Sequence, residues 1–227
     1  MFACSDWDGI RLVAFDVDGT LYRQRPVRWR MARDLLIQSV LKCDFSALAV
    51  LANYRLIRER LSSEEVINFE RVLIAETAAA TASPPDMVRA IVSEWIEERP
   101  LAYLASFLYS KLHELFAGLR REGKLIGILS DYPAEAKLMS LGLTANHIVT
   151  AGDEDVGVLK PHPRGLTSLM AKAGVSAHAT MLIGDRPDRD GAVARRVGAR
   201  VLIRSSKAIA GWQTFSNFDD AVFAPFL

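Results

Sequence analysis

The stretch "RLVAFDVDGTLY", Arg11 to Tyr22, opens on a short apolar run and then places two carboxylates, Asp16 and Asp18, within three residues, followed by Gly19. An apolar run this short, without polar alternation, suits a strand covered on both faces of a parallel sheet. Working outward, "LIGILS" from Leu125, "HIVTA" from His147, "TMLIGD" from Thr180 and "ARVLI" from Ala199 share that texture. Between them lie "PAEAKLMSLGL", "HPRGLTSLMAKAG" and "RDGAVARRVG", helix-sized patterns with Gly142, Gly174 and Gly198 where a left-handed C-terminal residue is wanted. Strand and helix alternating in this way predict an α/β fold, a parallel sheet with helices on both faces.

From about Tyr22 to Arg99 the texture changes to helix signals with almost no strand signals. Pro26 opens a helix, Ser62 with Glu65 forms a capping-box pattern, and Ser83 before Pro84 marks a further start. About four helices are expected, an all-helical domain over residues 22–99 inserted into a sheet domain made of residues 1–21 and 100–227. "LAYLASFLYSKLHELFAGLRREG" then reads as one helix returning to the sheet, its apolar positions at core spacing and Gly123 at its end.

Whole-chain numbers bound the function. The 227 residues suit one large or two small domains, half of them are hydrophobic and the net charge is +1, which excludes disorder and argues against a nucleic-acid partner. Cys4 and Cys43 form no disulfide framework, so a reduced, cytoplasmic setting is expected. The start "MFACSDWDGIR" lacks the basic-then-apolar order of a signal peptide, and no apolar run approaches the ~20 residues of a membrane helix.

Ligands of open parallel sheets collect beyond the carboxyl ends of the strands. There the sequence places Asp16 and Asp18, Ser130 in "ILSD", and Asp185 in "IGD", with Lys160 of "VLKPHP" in a loop before a helix. Taken singly, each suits a cap, turn or surface position. Delivered together to one rim, they point to phosphoryl transfer through a carboxylate nucleophile, Asp16. Converging acids repel one another and a phosphate, which calls for Mg²⁺, with Asp16 and Asp185 as ligands and Lys160 as a fixed positive charge. Ser130 is suited to donate to a phosphoryl oxygen. Asp18, two residues along an extended chain, faces the same side as Asp16 and is placed to exchange protons.

"DVDGTLY", the strand-end Ser130, Lys160 in "LKPHP" and "IGDRPDRD" resemble the four ordered motifs of the haloacid dehalogenase-like (HAD) superfamily of hydrolases. The resemblance covers about residues 11–21 and 125–204. It implies a Rossmann-like doubly wound core, Mg²⁺ dependence, Asp16 as nucleophile, Asp18 as general acid/base, Ser130 at the phosphate, a charge-balancing Lys160 and Asp185 on the metal. It further implies the Asp18 main-chain carbonyl as a metal ligand and a supporting acid at Asp190, with Asp188 fitting a shorter spacing. The insertion stands where the superfamily places a helical cap, in a layout similar to the phosphoglycolate-phosphatase-like and β-phosphoglucomutase-like groups. Asp18 argues against the metal-free dehalogenase branch, and the lysines of residues 22–123, Lys42 and Lys111 alone, against the phosphonate-cleaving one.

The expected function is a Mg²⁺-dependent phosphatase of a small phosphorylated metabolite. A phosphomutase would use the same residues on a sugar phosphate. A phospho-accepting signalling module shares the sheet, acids, hydroxyl and lysine, but would be shorter and without the insertion. Within "RQRPVRWRMAR", Arg23 and Arg25 lie nearest the active strand and are candidates to steer an anionic substrate; the alternative is a solvated helix face.

Overall fold

The four residues of β1 (Leu12–Phe15) are all buried, and this strand lies inside a six-stranded sheet. The computed structural model describes residues 7–227, so Cys4 and the first residues of the N-terminal stretch lie outside the described residues. The other strands are β2 (Leu125–Ser130), β3 (His147–Thr150), β4 (Thr180–Gly184), β5 (Arg200–Arg204) and β6 (Thr214–Phe215). Their order is β3-β2-β1-β4-β5-β6, and every neighbouring pair is parallel. The chain builds outward from β1 first to one side and then to the other, so the crevice of a doubly wound sheet opens at the carboxyl end of β1. Phe15 stands level with Ile128 and Ile183, which brings the ends of β1, β2 and β4 to one rim.

Side chains alternate across the sheet as a period of two requires. Leu12, Ala14, Leu129 and Leu182 enter one layer with Leu166 and Leu169 of α8 (Arg164–Ala173) and Val193 of α9 (Ala192–Val197). Val13, Phe15, Ile128 and Ile183 enter the other, with Phe116 of α6 (Leu112–Arg121) and Leu138 of α7 (Glu135–Leu141). Gly142, Gly174 and Gly198 follow α7, α8 and α9 with φ of 65°, 63° and 76°, the expected left-handed stops.

Between β1 and the return segment stand α1 (Gln24–Lys42), α2 (Ser46–Ser63), α3 (Phe69–Thr81) and α4 (Pro85–Val92), then a π-helical stretch over Ser93–Glu98. Pro26 sits in the first turn of α1. The proposed caps fail. Ser62 lies inside α2 and donates to the Lys160 carbonyl, while Glu65 pairs with Arg196 at 2.6 Å; contacts with the sheet domain have taken both side chains. Ser83 donates to the Thr81 carbonyl, and Pro84 is the residue that precedes α4.

The return segment is not one helix. α5 (Leu101–Leu104) runs into a single 3-10 turn, and α6 starts only after Lys111, whose φ is 70°. Between them the two connectors of the insertion pair with each other: Arg23 N–H donates to the Phe107 carbonyl at 2.9 Å and Tyr109 N–H to the Leu21 carbonyl at 3.1 Å. Those backbone groups cannot also serve a continuous helix.

Sequence reading assigned nothing after β5, yet the last residues complete the core. Phe215, Phe218, Phe223 and Phe226 are buried, Trp7 meets Phe226 edge-on at 4.9 Å, and Trp7 Nε1–H donates to the Val222 carbonyl at 2.7 Å. Their turn, Ala221–Phe226, lies directly on α6, where a Cβ at Gly118 would fall 1.8 Å from the Phe226 carbonyl oxygen. Among the described residues no helix is long and apolar enough to cross a membrane.

Gly118→Ala should therefore force α6 and the C-terminal turn apart, costing about 1–3 kcal/mol, or roughly 3–9 °C in thermal midpoint for a chain of this size. A midpoint within 1 °C of wild type would refute this account of the packing.

Candidate active site

Burial of the first apolar strand fixes the direction in which Asp16 leaves it. The Asp16 carboxylate is buried; Lys160 Nζ donates to its Oδ1 at 2.6 Å and Thr20 Oγ1 to its Oδ2 at 3.0 Å. The same ammonium donates to Asp190 Oδ1 at 2.7 Å, while Asp190 Oδ2 accepts the N–H groups of Asp185 and Arg186 at 3.2 and 3.0 Å. Carboxylate oxygens of Asp16, Asp185 and Asp190 lie within 4.8 Å of one another. Asp188 stays at the rim and pairs with Arg186.

Two glycines permit this closeness. A Cβ at Gly19, whose φ is 101°, would stand 2.4 Å from Asp185 Oδ2, and one at Gly184 would stand 2.3 Å from Asp190 Cγ. The close approach that Gly19 allows is to an acid of the site itself.

The electrostatics follow from three carboxylates around one ammonium. Burial works against the Lys160 charge, but Asp16 and Asp190 outweigh it and hold Lys160 well above the ordinary lysine value. Burial, then the Asp190 charge, pushes Asp185 up to about 6 against the pull of Lys160 and nearby arginines. Such a donor set, all hard oxygens and more negative than its one lysine neutralises, fits a divalent cation such as Mg²⁺.

Asp18 leads away from that cluster. Its Oδ2 accepts from Lys137 Nζ at 2.6 Å and its Oδ1 from the Tyr22 hydroxyl. Burial alone would raise the Asp18 carboxyl, but the Lys137 charge and hydrogen bond, with Tyr22, bring it below the ordinary carboxylate value. Tyr22 is pushed up by burial and by Asp18, so its phenol keeps the proton it donates. Lys137 was missed in the sequence, although Ala134, Lys137, Leu138 and Leu141 share one helical face; a cation on an otherwise apolar, buried face was the signal.

Ser130 is buried at the end of β2, where its Oγ accepts the Tyr132 N–H at 3.1 Å. Asp131 does not cap α7. Its Oδ1 accepts the Lys160 N–H at 3.0 Å, and its Oδ2 stands 3.5 Å from Arg189. Arg58 of α2 donates to the Asp131 carbonyl and stacks over the Tyr132 ring at 3.9 Å. Glu59 accepts from Arg186 at 3.2 Å and Arg189 at 2.5 Å, tying α2 to the loop after β4. His162 Nδ1 accepts the Arg164 N–H at 3.2 Å.

A cavity of about 80 Å³ is lined by Asp16, Asp18, Lys160, Asp185 and Asp190, with Gln24 and Arg28 of α1 in its wall. Arg23 and Arg25 do not line it; the turn of helix that follows brings Arg28 there instead. A larger cavity, about 490 Å³ among α2, α3, α4 and the π-helical stretch, brings no nucleophile and lysine together.

Comparison with known proteins agrees with the fold. A family model described as haloacid dehalogenase-like hydrolase matches residues 10–198. The chain is 26% identical to a glyceraldehyde 3-phosphate phosphatase of Methanopyrus kandleri, over 87% of this chain and 85% of that protein. It is 27% identical to a phosphoglycolate phosphatase of Yersinia pestis, over 78% and 73%. Among solved structures, a 2-haloacid dehalogenase from Pseudomonas syringae pv. Tomato DC3000 superposes with a TM-score of 0.65 over 96% of this chain and 100% of that one; at 21% identity the likeness is one of fold.

Two outcomes are expected. The folded-state value of Asp185 lies above that of a free carboxyl, so in the ion-free protein its contribution to stability is present at low pH and lost as pH rises through about 6. A bound cation reverses that loss, and Mg²⁺ should raise the thermal midpoint more at pH 7.5 than at pH 5; equal shifts would disprove the site. Lys137→Met leaves a buried Asp18 charge without its cation, which should cost about 3 kcal/mol at pH 7.5. Asp18 is depressed, so the wild-type advantage should shrink as pH falls through its folded value; a pH-independent deficit in denaturant titrations would show that the ion pair is not the cause.

Proposed function

The chain belongs to the haloacid dehalogenase-like hydrolases, and from that premise we propose that it is a Mg²⁺-dependent phosphatase of a small phosphorylated metabolite, acting through a phosphorylated Asp16. The observation that carries this reading is the buried Asp16, 2.6 Å from the Lys160 ammonium, with Asp185 and Asp190 beside it. Phosphatases among the relatives support the reaction class.

In this reading an Asp16 oxygen attacks phosphorus and the ester P–O bond breaks, leaving an aspartyl-phosphate and an alcohol. Lys160 and Thr20 hold the nucleophile in one orientation, which lowers the entropy cost of attack. Asp18 gives a proton to the leaving oxygen and takes one from the water that then attacks phosphorus, releasing phosphate and restoring the Asp16 carboxylate. Lys137 and Tyr22 favour the ionised form of Asp18, so the water-activating half is the one its surroundings serve better. The Ser130 hydroxyl, already accepting from Tyr132, has its proton to donate to a phosphoryl oxygen. Asp16, Asp185 and the Asp18 main-chain carbonyl would hold Mg²⁺, with Asp190 in support, and the ion would neutralise charge on the phosphoryl oxygens. Residues 22–99 serve as the cap that excludes water from the rim, and the Glu59 contacts to Arg186 and Arg189 support that role.

Purified protein should hydrolyse p-nitrophenyl phosphate with Mg²⁺, and EDTA or Asp16→Asn should reduce the rate by at least about 10³-fold. Undiminished turnover by Asp16→Asn would end the mechanism. Asp18→Asn should keep the Mg²⁺-induced rise in thermal midpoint yet lose turnover.

A further inference from the structure

The arginines around the catalytic cavity divide into two groups. Arg58, Arg186 and Arg189 are engaged: Arg58 with the Asp131 carbonyl and the Tyr132 ring, Arg186 and Arg189 with Glu59. Arg28 of α1 and Arg55 of α2 make no ion pair, hydrogen bond or ring contact among the described residues, and the Gln24 amide makes no hydrogen bond there. A lone unpaired arginine on a helix is ordinary. These two come from different helices and converge on one cavity.

That cavity, about 60 Å³, abuts the catalytic one; Asp18, Gln24, Arg28 and Tyr132 line both. Val27, Met31, Trp95, Ile96 and Pro100 give it apolar walls, and Tyr22, Arg55 and Lys137 complete its lining. The one carboxylate in that lining, Asp18, is already paired with Lys137 at 2.6 Å, so the two guanidinium groups have no anion of their own there and their like charges favour one that enters. The same strain appears on Arg55, which burial, and then the like charge of Arg28, pull below the ordinary arginine value although Tyr132 opposes them. Both cavities are far smaller than the ~300 Å³ at which drug-sized ligand sites begin. Only a short linker fits between the phosphoryl position and the arginines.

We propose that Arg28, Arg55 and the Gln24 amide form a specificity subsite for a second anionic group, held a short linker away from the phosphoryl group that is hydrolysed. The preferred substrates are then short phosphate esters ending in an oxyanion, a carboxylate or a second phosphate, each matching the fork of a guanidinium. This inference rests on the phosphatase reading, and the test separates the two.

The experiment measures kcat/KM with Mg²⁺ for ethyl phosphate, phosphoglycolate, ethylene glycol bisphosphate and p-nitrophenyl phosphate, using wild type, Arg28→Gln, Arg55→Gln and Arg55→Lys. Wild type should prefer an oxyanion-bearing ester over ethyl phosphate by about tenfold or more, mainly through KM. Each glutamine variant should lose most of that preference, and Arg55→Lys should restore part of it. Comparing phosphoglycolate with the bisphosphate tells which oxyanion the subsite takes. Hydrolysis of p-nitrophenyl phosphate without an oxyanion preference, or a preference that survives both glutamine variants, would overturn the subsite and leave the phosphatase standing. Failure of wild type on all four esters would overturn both. Thermal midpoints of the variants near wild type would show that any lost preference is not misfolding.

Discussion

One ammonium group holds the chemistry of this protein together. Lys160 Nζ lies between Asp16 and Asp190, at 2.6 and 2.7 Å, with all three groups buried. Burying that many charges is unfavourable unless each is paired and hydrogen-bonded. Much of the nearby structure satisfies the condition. Thr20 donates to the free oxygen of Asp16, the N–H groups of Asp185 and Arg186 serve the free oxygen of Asp190, and Asp131 and Ser62 fix the Lys160 backbone. Removing the lysine would leave acids whose mutual repulsion a cation or protonation would have to offset.

The same constraint explains why α2 sits so close to the sheet. Its Arg58, Glu59 and Ser62 reach Asp131, the loop after β4, and Lys160. A single helix face therefore contacts three of the four loops that build the rim. Any movement of α2 relative to the sheet must break polar contacts adjoining the nucleophile, which couples the position of the helical segment to the state of the site.

Legibility was uneven. The five longer strands and the glycine stops of α7, α8 and α9 were readable because apolar runs and left-handed glycines are local signals. The cap residues were not: Ser62 and Glu65 match a capping box, but side chains obey the strongest partner available, and here those partners come from residues distant in sequence. β6 and the phenylalanines beyond it were invisible for a similar reason, since a two-residue strand has no period and its aromatic cluster forms only against α6.

By itself the sequence determined the order of acids, hydroxyl and lysine along the chain, the parallel sheet, and the place of the helical insertion. Those are consequences of local pattern and of where strands end. Only the tertiary structure decided that Asp18 pairs with Lys137 and that Arg28 rather than Arg23 or Arg25 lines the cavity. Each depends on the rotation of one helix or loop against another, a quantity set by packing across the whole core and carried by no single stretch. "FDVDGTLY" announces two carboxylates, and the fold assigns each its own lysine.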